Sequence, residues 1–458
     1  MQRHSTYREY SPDGVPVGWQ KKRLRFALRL NPSKGEITLR DADEVSFVPM
    51  DAVGEYGGIR LSEEKELSEI GSGYTYFCDD DVVVAKITPC FENGKGALAK
   101  GLTNKTAFGT TELHVLRADR AQLEPSFVFY LTISDSFRKL GESEMYGAGG
   151  QKRVPESFFK DFLAGLPSLG EQQAITCFLD HKTAQIDALI AKKRALLEKL
   201  AEKRSALISH AVTKGLDPSV PMKDSGVAWL RKIPAHWQRL LLIRVVRRFE
   251  QGWSPACEER EASLDEWGVL KSGCVNYGVF DEREHKTLPA SMSPIASLEV
   301  KAGDVLMCRA SGSKHLIGSV AKVHSCRPQL IFSDKTYRIS LDESLINSDF
   351  FVFAMKSKYM REQIELSISG ADGLANNIPQ ASVKSYQLVL PRISEQQAIA
   401  KVLETEIDRV AQQENKIATV IAKLKEYRSA LITNAVTGKI DVRDYQITSA
   451  SETVALHE

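Results

Sequence analysis

The sequence predicts an α+β fold: two mixed α/β domains separated by two long helices that pack as an antiparallel coiled coil, with a pseudo-twofold internal repeat. Three observations predict it. The segment 166–175 returns at 390–399, two stretches carry heptad-like apolar stripes, and the blocks before them contain short strand-like apolar runs. With 458 residues, 43% hydrophobic and 26% charged, the chain can bury several cores.

The repeat holds one register over a long stretch. Three segments return 224 residues later: 166–175 as 390–399, 204–208 as 428–432, and 211–213 as 435–437. Weaker echoes extend through each half; Trp19 pairs with Trp237, and Asp81 with Asp304. Because the period is too long for a solenoid, the chain is interpreted as two copies of one unit, a variable block followed by a similar block.

This pattern predicts five ranges along the chain. The first variable domain covers 1–167, the first helical region 168–216, the second variable domain 217–391, and the second helical region 392–443. A C-terminal tail, 444–458, is expected to be flexible. Within the variable domains, helices are predicted over 125–140 and 348–364 and strands at 80–87, 303–309, 320–323 and 337–340.

The two similar blocks are predicted to be helices that share one apolar seam. Their apolar residues alternate between three- and four-residue spacing, which is typical of coiled coils. Gly215 and Gly438 follow the last turns, where C-cap glycines belong, and Glu171 and Glu395 lie in the first turns. The predicted seam residues are Leu179, Ile186, Leu189, Leu196, Leu200, Leu207, Leu403, Val410, Ile417, Ile421, Leu424 and Leu431.

Composition and motifs argue against a catalytic chain. The net charge is only +2, so a wholly basic nucleic-acid binder is not indicated, although local basic patches are possible. Seven cysteines without a CxxC pair indicate free thiols in a reducing cytoplasm, and no zinc-ligand spacing occurs. Neither a signal peptide nor a membrane span is expected. The phosphate-binding GxxxxGK[ST], GxSxG and HExxH motifs are absent.

Binding is therefore the favoured function, through polar side chains in matched loops of the two copies. Arg, Lys, Asn and Gln at loop tips can contact base edges, and Lys can hold phosphates. The Gly-rich segments 147–153 and 370–377 match each other in the two copies. The candidate DNA-binding residues are Asn93, Lys95, Lys100, Lys105, Thr110, Gln151, Lys152, Arg153, Arg309, Ser313, Lys314, His315, Lys322, Lys335, Asn376 and Asn377.

The variable–similar–variable–similar layout resembles the specificity subunit of type I restriction–modification enzymes. The resemblance covers nearly the whole chain and is carried by Leu-Pro-x-x-x-Glu-Gln-x-x-Ile, Arg-Ser-Ala-Leu-Ile and Ala-Val-Thr in both copies. Asp224–Leu230 with Ile233–Trp237 resembles the entry into that family's second target-recognition domain. One departure is that Ile407 stands three residues further from Arg428 than Ile186 stands from Arg204.

The resemblance implies a non-catalytic subunit that confers DNA specificity. Each variable domain would be a target-recognition domain that reads one half of a split site in double-stranded DNA. The helices would act as spacer and docking surface for two adenine-methylating subunits, and through them for the translocating restriction subunits. The chain itself would bind no cofactor, because S-adenosylmethionine, ATP and Mg²⁺ would bind the partner subunits. The complex would be cytoplasmic, with no membrane contact.

Two other functions stay open from the residues alone. The chain could be a stand-alone DNA-binding coiled-coil protein, which co-purification with a methyltransferase would distinguish. A single-chain nuclease is the weaker alternative, since the run Asp79–Asp81 with Lys86 imitates a metal-nuclease strand. Asp304 follows Gly303 at the equivalent place of the second copy, which favours a simple turn there.

Overall fold

The structure is a computed structural model that describes Tyr10 and residues 14–148, 150–227, 229–369 and 376–445. The chain forms two compact units: unit 1 comprises Met1–Lys193 and Ala418–Glu458, and unit 2 comprises Arg194–Ile417. Most of the Gly-rich segment 370–377 and the tail beyond residue 445 lie outside the described residues, so the expectations for them stay predictions.

The variable block of unit 1 contains ten strands and three helices in its described part. The strands are β1 Gln20–Arg23, β2 Leu28–Leu30, β3 Glu44–Val48, β4 Glu64–Glu66, β5 Thr75–Cys78, β6 Val82–Ala85, β7 Gly96–Leu98, β8 Thr106–Gly109, β9 Leu113–Ala118 and β10 Leu163–Leu166. The helices are α1 Pro125–Thr132, α2 Asp135–Ser143 and α3 Glu156–Asp161, and the chain then enters the long helix α4, Leu169–Lys214.

Unit 1 is layered around the sheet β2-β9-β6-β7, whose neighbouring strands all run antiparallel. Side chains of β6 alternate between its faces, as a strand requires. Val82 and Val84 pack in one core with the helices, whereas Val83 and Ala85 pack in a second core with the sheet β4-β3-β8-β5. This explains why β6 is a continuous apolar run, since both of its faces are covered.

Unit 2 repeats this plan with thirteen strands in the described residues. They are β11 Met222–Asp224, β12 Lys232–Pro234, β13 Gln238–Leu241, β14 Val246–Gln251, β15 Gly268–Leu270, β16 His285–Thr287, β17 Val305–Cys308, β18 Ala310–Ser311, β19 Val320–Lys322, β20 Leu330–Phe332, β21 Thr336–Leu341, β22 Asn376–Asn377 and β23 Gln387–Leu390. The helices are α5 Ser348–Lys356, α6 Lys358–Ser367, α7 Gln380–Lys384 and the long α8 Ile393–Val436.

The sheet β14-β21-β17-β19 of unit 2 corresponds to the central sheet of unit 1. Val305 and Met307 of β17 pack with the helices, whereas Leu306 and Cys308 pack with the sheet β16-β15-β20. The short pair β1·β10 likewise corresponds to β13·β23, which brings the chain into the long helix in each unit. The internal repeat is therefore a repeat of the fold as well as of the sequence.

The helices predicted over 125–140 and 348–364 are each broken in two, so that prediction is wrong in detail. Ser134 is fully buried, and its hydroxyl donates to the carbonyl of Leu131 at 2.7 Å and accepts from the N–H of Phe137 at 3.4 Å. It thereby ends α1 and caps α2. Ser357 is also fully buried between α5 and α6, and its hydroxyl bonds to the carbonyl of Ala354.

The long helices pack in antiparallel order, as the sequence predicts. In unit 1 the beginning of α4 shares a core with the end of α8, and in unit 2 the end of α4 shares a core with the beginning of α8. Ion pairs join them in both units: Arg428 Nε lies 3.2 Å from Asp187 Oδ1, and Arg204 Nη1 lies 3.2 Å from Glu414 Oε2.

The seam differs in part from the predicted stripe. Buried members are Leu179, Ile186, Leu403, Val410 and Leu431, and half-buried ones are Leu200, Leu207, Ile417, Ile421 and Leu424. Leu189 and Leu196 are each 41% exposed, contrary to the prediction, whereas Ile190 is buried. At 3.6 residues per turn, position 190 lies about 40° from Ile186 around the axis and position 189 about 60°. Position 190 thus lies closer to the buried face of α4, so the apolar stripe continues through Ile190 and not through Leu189.

Candidate nucleic-acid interface

The repeated Glu-Gln pair at the start of each long helix holds the variable block in place. Trp19 Nε1 donates to Glu171 Oε1 at 3.1 Å, and Trp237 Nε1 donates to Glu395 Oε1 at 3.0 Å. Gln172 and Gln396 are fully buried, and each side-chain N–H₂ donates to two backbone carbonyls. Sequence analysis missed this role, although the repetition of these residues was the available signal.

Each variable block also binds the long helix that belongs to the other copy. The N–H of Asp135, at the start of α2, donates to Thr433 Oγ1 of α8 at 2.9 Å. The N–H of Lys358, at the start of α6, donates to Ser209 Oγ of α4 at 3.0 Å. The variable blocks are thus anchored to both long helices by equivalent bonds.

In unit 1, most predicted DNA-binding residues meet at one edge, where the central strand β6 ends. Residues 86–88 continue β6 and pair with residues 152–154, through bonds from Thr88 N–H to Lys152 O at 3.0 Å and from Val154 N–H to Lys86 O at 2.9 Å. Arg153 also pairs with Tyr146. We call this arrangement of 86–88, 146 and 152–154 the ladder of unit 1.

Some of the predicted residues around the unit 1 ladder are hydrogen-bonded within the protein, and others are exposed. Arg153 Nε and Nη2 donate to the two carboxylate oxygens of Glu112 at 2.9 and 2.8 Å, and this bond lowers the pKa of Glu112. Lys95 Nζ donates to the carbonyl of Met50 at 3.0 Å. Thr110 Oγ1 accepts from the N–H of Glu112 at 3.3 Å. Asn93, Gln151 and Lys152 are exposed.

In unit 2, the equivalent arrangement consists of residues 309–311, 369 and 376–378, which include β18 and β22. We call it the ladder of unit 2. Ala310 pairs with Asn377, Ser311 with Asn376, and Ser369 with Asn377. Arg309 precedes β18; its N–H donates to the carbonyl of Lys335 at 2.8 Å, and its Nη1 donates to that of Asp334 at 3.2 Å.

The other predicted residues of unit 2 lie beside this ladder. Ser313, Lys314 and His315 occupy an exposed turn after β18. Arg361 Nη1 holds that turn through the carbonyl of Ile317 at 2.7 Å. Lys335 is exposed, with its Nζ 3.7 Å from Asp334 Oδ2.

Three predicted residues are not brought to the ladders. Lys100 and Lys105 lie at the opposite end of β6, where the N–H of Asp79 donates to Lys105 O at 3.1 Å. Lys322 lies opposite Val305 at the start of β17, and its Nζ donates to both carboxylate oxygens of Asp349 at 2.8 Å. A four-residue strand separates these positions from the ladders by roughly 13 Å.

Comparison with known proteins identifies the family. No family model matches the chain. The chain is 30% identical over 469 residues to the type I restriction enzyme EcoEI specificity subunit of Escherichia coli, and the match covers 86% of this chain and 78% of that protein. The chain belongs to the specificity subunits of type I restriction enzymes.

Solved structures show the same fold for this specificity subunit. A chain from a structure of a type I R-M system matches with a TM-score of 0.71 at 18% identity, covering 94% of this chain and 100% of that one. The HsdS subunit from Thermoanaerobacter tengcongensis matches with a TM-score of 0.50 at 17% identity, over 93% of this chain and 98% of that one.

As a specificity subunit, the chain is a non-catalytic component of its system. Within the described residues, no group of three or more His, Cys, Asp or Glu side chains is placed to hold a metal ion. Among the same residues, no helix has the length and apolar character needed to cross a membrane.

Proposed function

We propose that this specificity subunit directs a type I restriction–modification complex to a bipartite DNA site. The variable ranges 1–167 and 217–391 are its target-recognition domains, and each reads one half-site in double-stranded DNA. The observation that carries this proposal is the ladder, which occurs at the same end of the same sheet in both units and collects most of the predicted DNA-binding residues.

The helical ranges 168–216 and 392–443 act as spacer and as docking surface for two methyltransferase subunits. Restriction subunits join through that complex. S-adenosylmethionine, ATP and Mg²⁺ bind the partner subunits and not this chain. The complex works in the cytoplasm.

The half-sites are expected to be different in sequence, inverted and separated by a fixed unread gap. Two modules must meet the same face of B-DNA to bind together, which favours half-site centres about one turn, ~34 Å, apart. The test is co-expression with the cognate methyltransferase subunits, followed by sequencing of methylated adenines. A split, asymmetric motif with one adenine per strand is expected. A continuous palindrome of about four to six base pairs would contradict the proposal.

A further inference from the structure

The two ladders share one backbone. In unit 1 the N–H of Tyr146 donates to Arg153 O at 3.1 Å, and the N–H of Arg153 donates to Tyr146 O at 2.9 Å. In unit 2 Ser369 and Asn377 exchange the same two bonds at 2.9 and 3.0 Å. Val154 N–H to Lys86 O in unit 1 and Ile378 N–H to Arg309 O in unit 2 are both 2.9 Å. Positions in the two ladders can therefore be matched one by one.

The side chains on this shared backbone differ in hydrogen-bonding chemistry. Tyr146 matches Ser369, and Arg153 matches Asn377. Glu112, whose carbonyl accepts from the N–H of Lys86, matches Lys335, whose carbonyl accepts from the N–H of Arg309. An ion-paired guanidinium in unit 1 thus stands where unit 2 has a neutral amide, and the carboxylate of Glu112 stands where unit 2 has a lysine.

Core-forming positions next to the ladders do not show this change of chemistry. Val84 and Met307 are buried apolar residues on the central strands, and Val154 and Ile378 are buried apolar residues at the ladder. The fold therefore tolerates an exchange of the polar ladder side chains, since the same backbone accommodates both sets. Different donors and acceptors on a shared backbone are what two modules need in order to read different base sequences.

The other side of the unit 2 ladder is also polar. Asn376 is 4% exposed, and its Oδ1 accepts no hydrogen bond from the described residues. Arg309 Nε is buried and likewise lacks an acceptor among them. A buried polar atom left unpaired costs stability, about 1–3 kcal/mol. Packing alone would therefore favour apolar side chains at these two positions.

We infer that side chains at the ladders determine specificity: Tyr146 and Arg153 for one half-site, and Ser369 and Asn377 for the other, with Glu112 and Lys335 at the matched positions beside them. This inference rests on the proposed function. Their targets are base edges in the major groove, where a guanidinium matches the O6 and N7 acceptors of guanine and a side-chain amide matches the N6–H and N7 of adenine. Glu112 fixes the guanidinium of Arg153 in one orientation and is a positioning residue.

Exchange of the ladder side chains tests the inference in the full complex with methyltransferase subunits. The Glu112→Lys/Arg153→Asn variant gives unit 1 the chemistry of unit 2, and Lys335→Glu/Asn377→Arg makes the reverse change. Each variant should alter the preferred bases in one half-site only, by about tenfold to a hundredfold in methylation rate, and leave the gap and the other half unchanged. Lys100→Asn, at the far end of the same strands, is the control and should leave the motif unaltered.

Binding measurements keep the test decisive if an exchange abolishes methylation. Duplexes with single base substitutions in either half-site then compete for binding to the variant complex. The melting temperature of the variant complex shows whether it is folded. Loss of discrimination confined to one half-site supports the inference. An unchanged motif, or discrimination unchanged at every base, overturns it. If the wild-type complex methylates no bipartite site at all, the proposed function fails instead.

Discussion

The side-chain oxygen of Gln396 accepts a hydrogen bond of 2.8 Å from the backbone N–H of Asn347. Asn347 in turn caps α5, because its Oδ1 accepts from the N–H of Phe350 at 3.0 Å. Gln172 makes the equivalent bond of 2.8 Å with the N–H of Glu124, which precedes α1. The first turn of each long helix is thus connected directly to the start of a helix in the variable block.

The first prediction concerns this glutamine. Gln396→Ala removes the hydrogen-bond partner of three backbone groups, those of Asn347, Leu345 and the buried Pro391, and should lower the free energy of unfolding by about 2–4 kcal/mol. The adjacent Gln397 is exposed, so Gln397→Ala is a matched control and should change stability by less than about 0.5 kcal/mol. Denaturant unfolding measures both. Equal effects of the two substitutions would show that the buried bonds contribute nothing.

The second prediction concerns the helix seam in unit 2. Leu403 is fully buried, whereas its neighbour Val402 is 40% exposed. Leu403→Ala should cost about 2–5 kcal/mol, because it removes packed methyl groups and leaves a cavity. Val402→Ala should be close to neutral. Thermal unfolding of both variants tests this, and a wild-type melting temperature for Leu403→Ala would contradict the packing.

The third prediction is a pH dependence that arises from His114. Burial lowers the pKa of His114 to about 4. Its Nε2 lies 3.2 Å from the carbonyl of Val154, and its Nδ1 lies 3.3 Å from the Asn31 side-chain nitrogen. Asn31 Oδ1 already accepts from the N–H of Val115, so the side-chain nitrogen must face the ring. A second proton on the imidazole would therefore meet a donor and not an acceptor.

The direction follows from the two pKa values. An unfolded histidine titrates near 6.5, so the stabilisation is complete above about pH 6.5 and is lost as the pH falls toward about 4, by up to about 3 kcal/mol. His114→Gln should flatten this part of the stability curve, whereas replacement of the exposed His324 should not. Unfolding measured between pH 4 and 7 tests the difference; parallel curves for wild type and His114→Gln would refute it.

The fourth prediction separates two equivalent glycines. Gly215 and Gly438 end the long helices with φ values of 77° and 72°. A Cβ at Gly438 would lie 2.3 Å from Cγ of Pro16, whereas at Gly215 the nearest atoms are 3.5 Å away. Gly215→Ala should cost about 1 kcal/mol through the left-handed backbone alone, and Gly438→Ala about 2–4 kcal/mol because overpacking is added. Unfolding experiments that rank them in the opposite order would contradict the geometry.

The fifth prediction uses salt dependence. Lys152 is exposed at the unit 1 ladder, whereas Lys100 is exposed at the far end of the same sheet. If Lys152 holds a phosphate, Lys152→Ala should reduce the slope of log affinity against log salt by about 0.9. Lys100→Ala should leave the slope unchanged. Titrations of the complex with its DNA site at several salt concentrations measure both, and identical slopes for wild type and Lys152→Ala would remove Lys152 from the interface.

Local patterns predicted the long helices and the central strands well, because the periodicity of a helix or a strand is visible in residues that are close together in sequence. Ser134 and Ser357 show one limit: a buried hydroxyl that breaks a helix has the same sequence signal as one on a helix surface. The ladders show a second limit of prediction, because they depend on pairing between residues that are distant in sequence, such as Ile87 and Arg153. Lys100 and Lys322 were candidates by matched position, but only the sheet topology shows that they lie at the other end of the strands.

The division of the chain into units has a consequence for biosynthesis. Unit 2 is one continuous stretch, Arg194–Ile417, whereas unit 1 also includes Ala418–Glu458, and the end of α8 contributes to its core. Leu431 and Val436 lie in that core together with Phe178. On the ribosome, unit 2 has all of its residues before unit 1 does, so the variable block that is made first must wait for the last helix. Until then its apolar helix-facing surface is a natural substrate for chaperones.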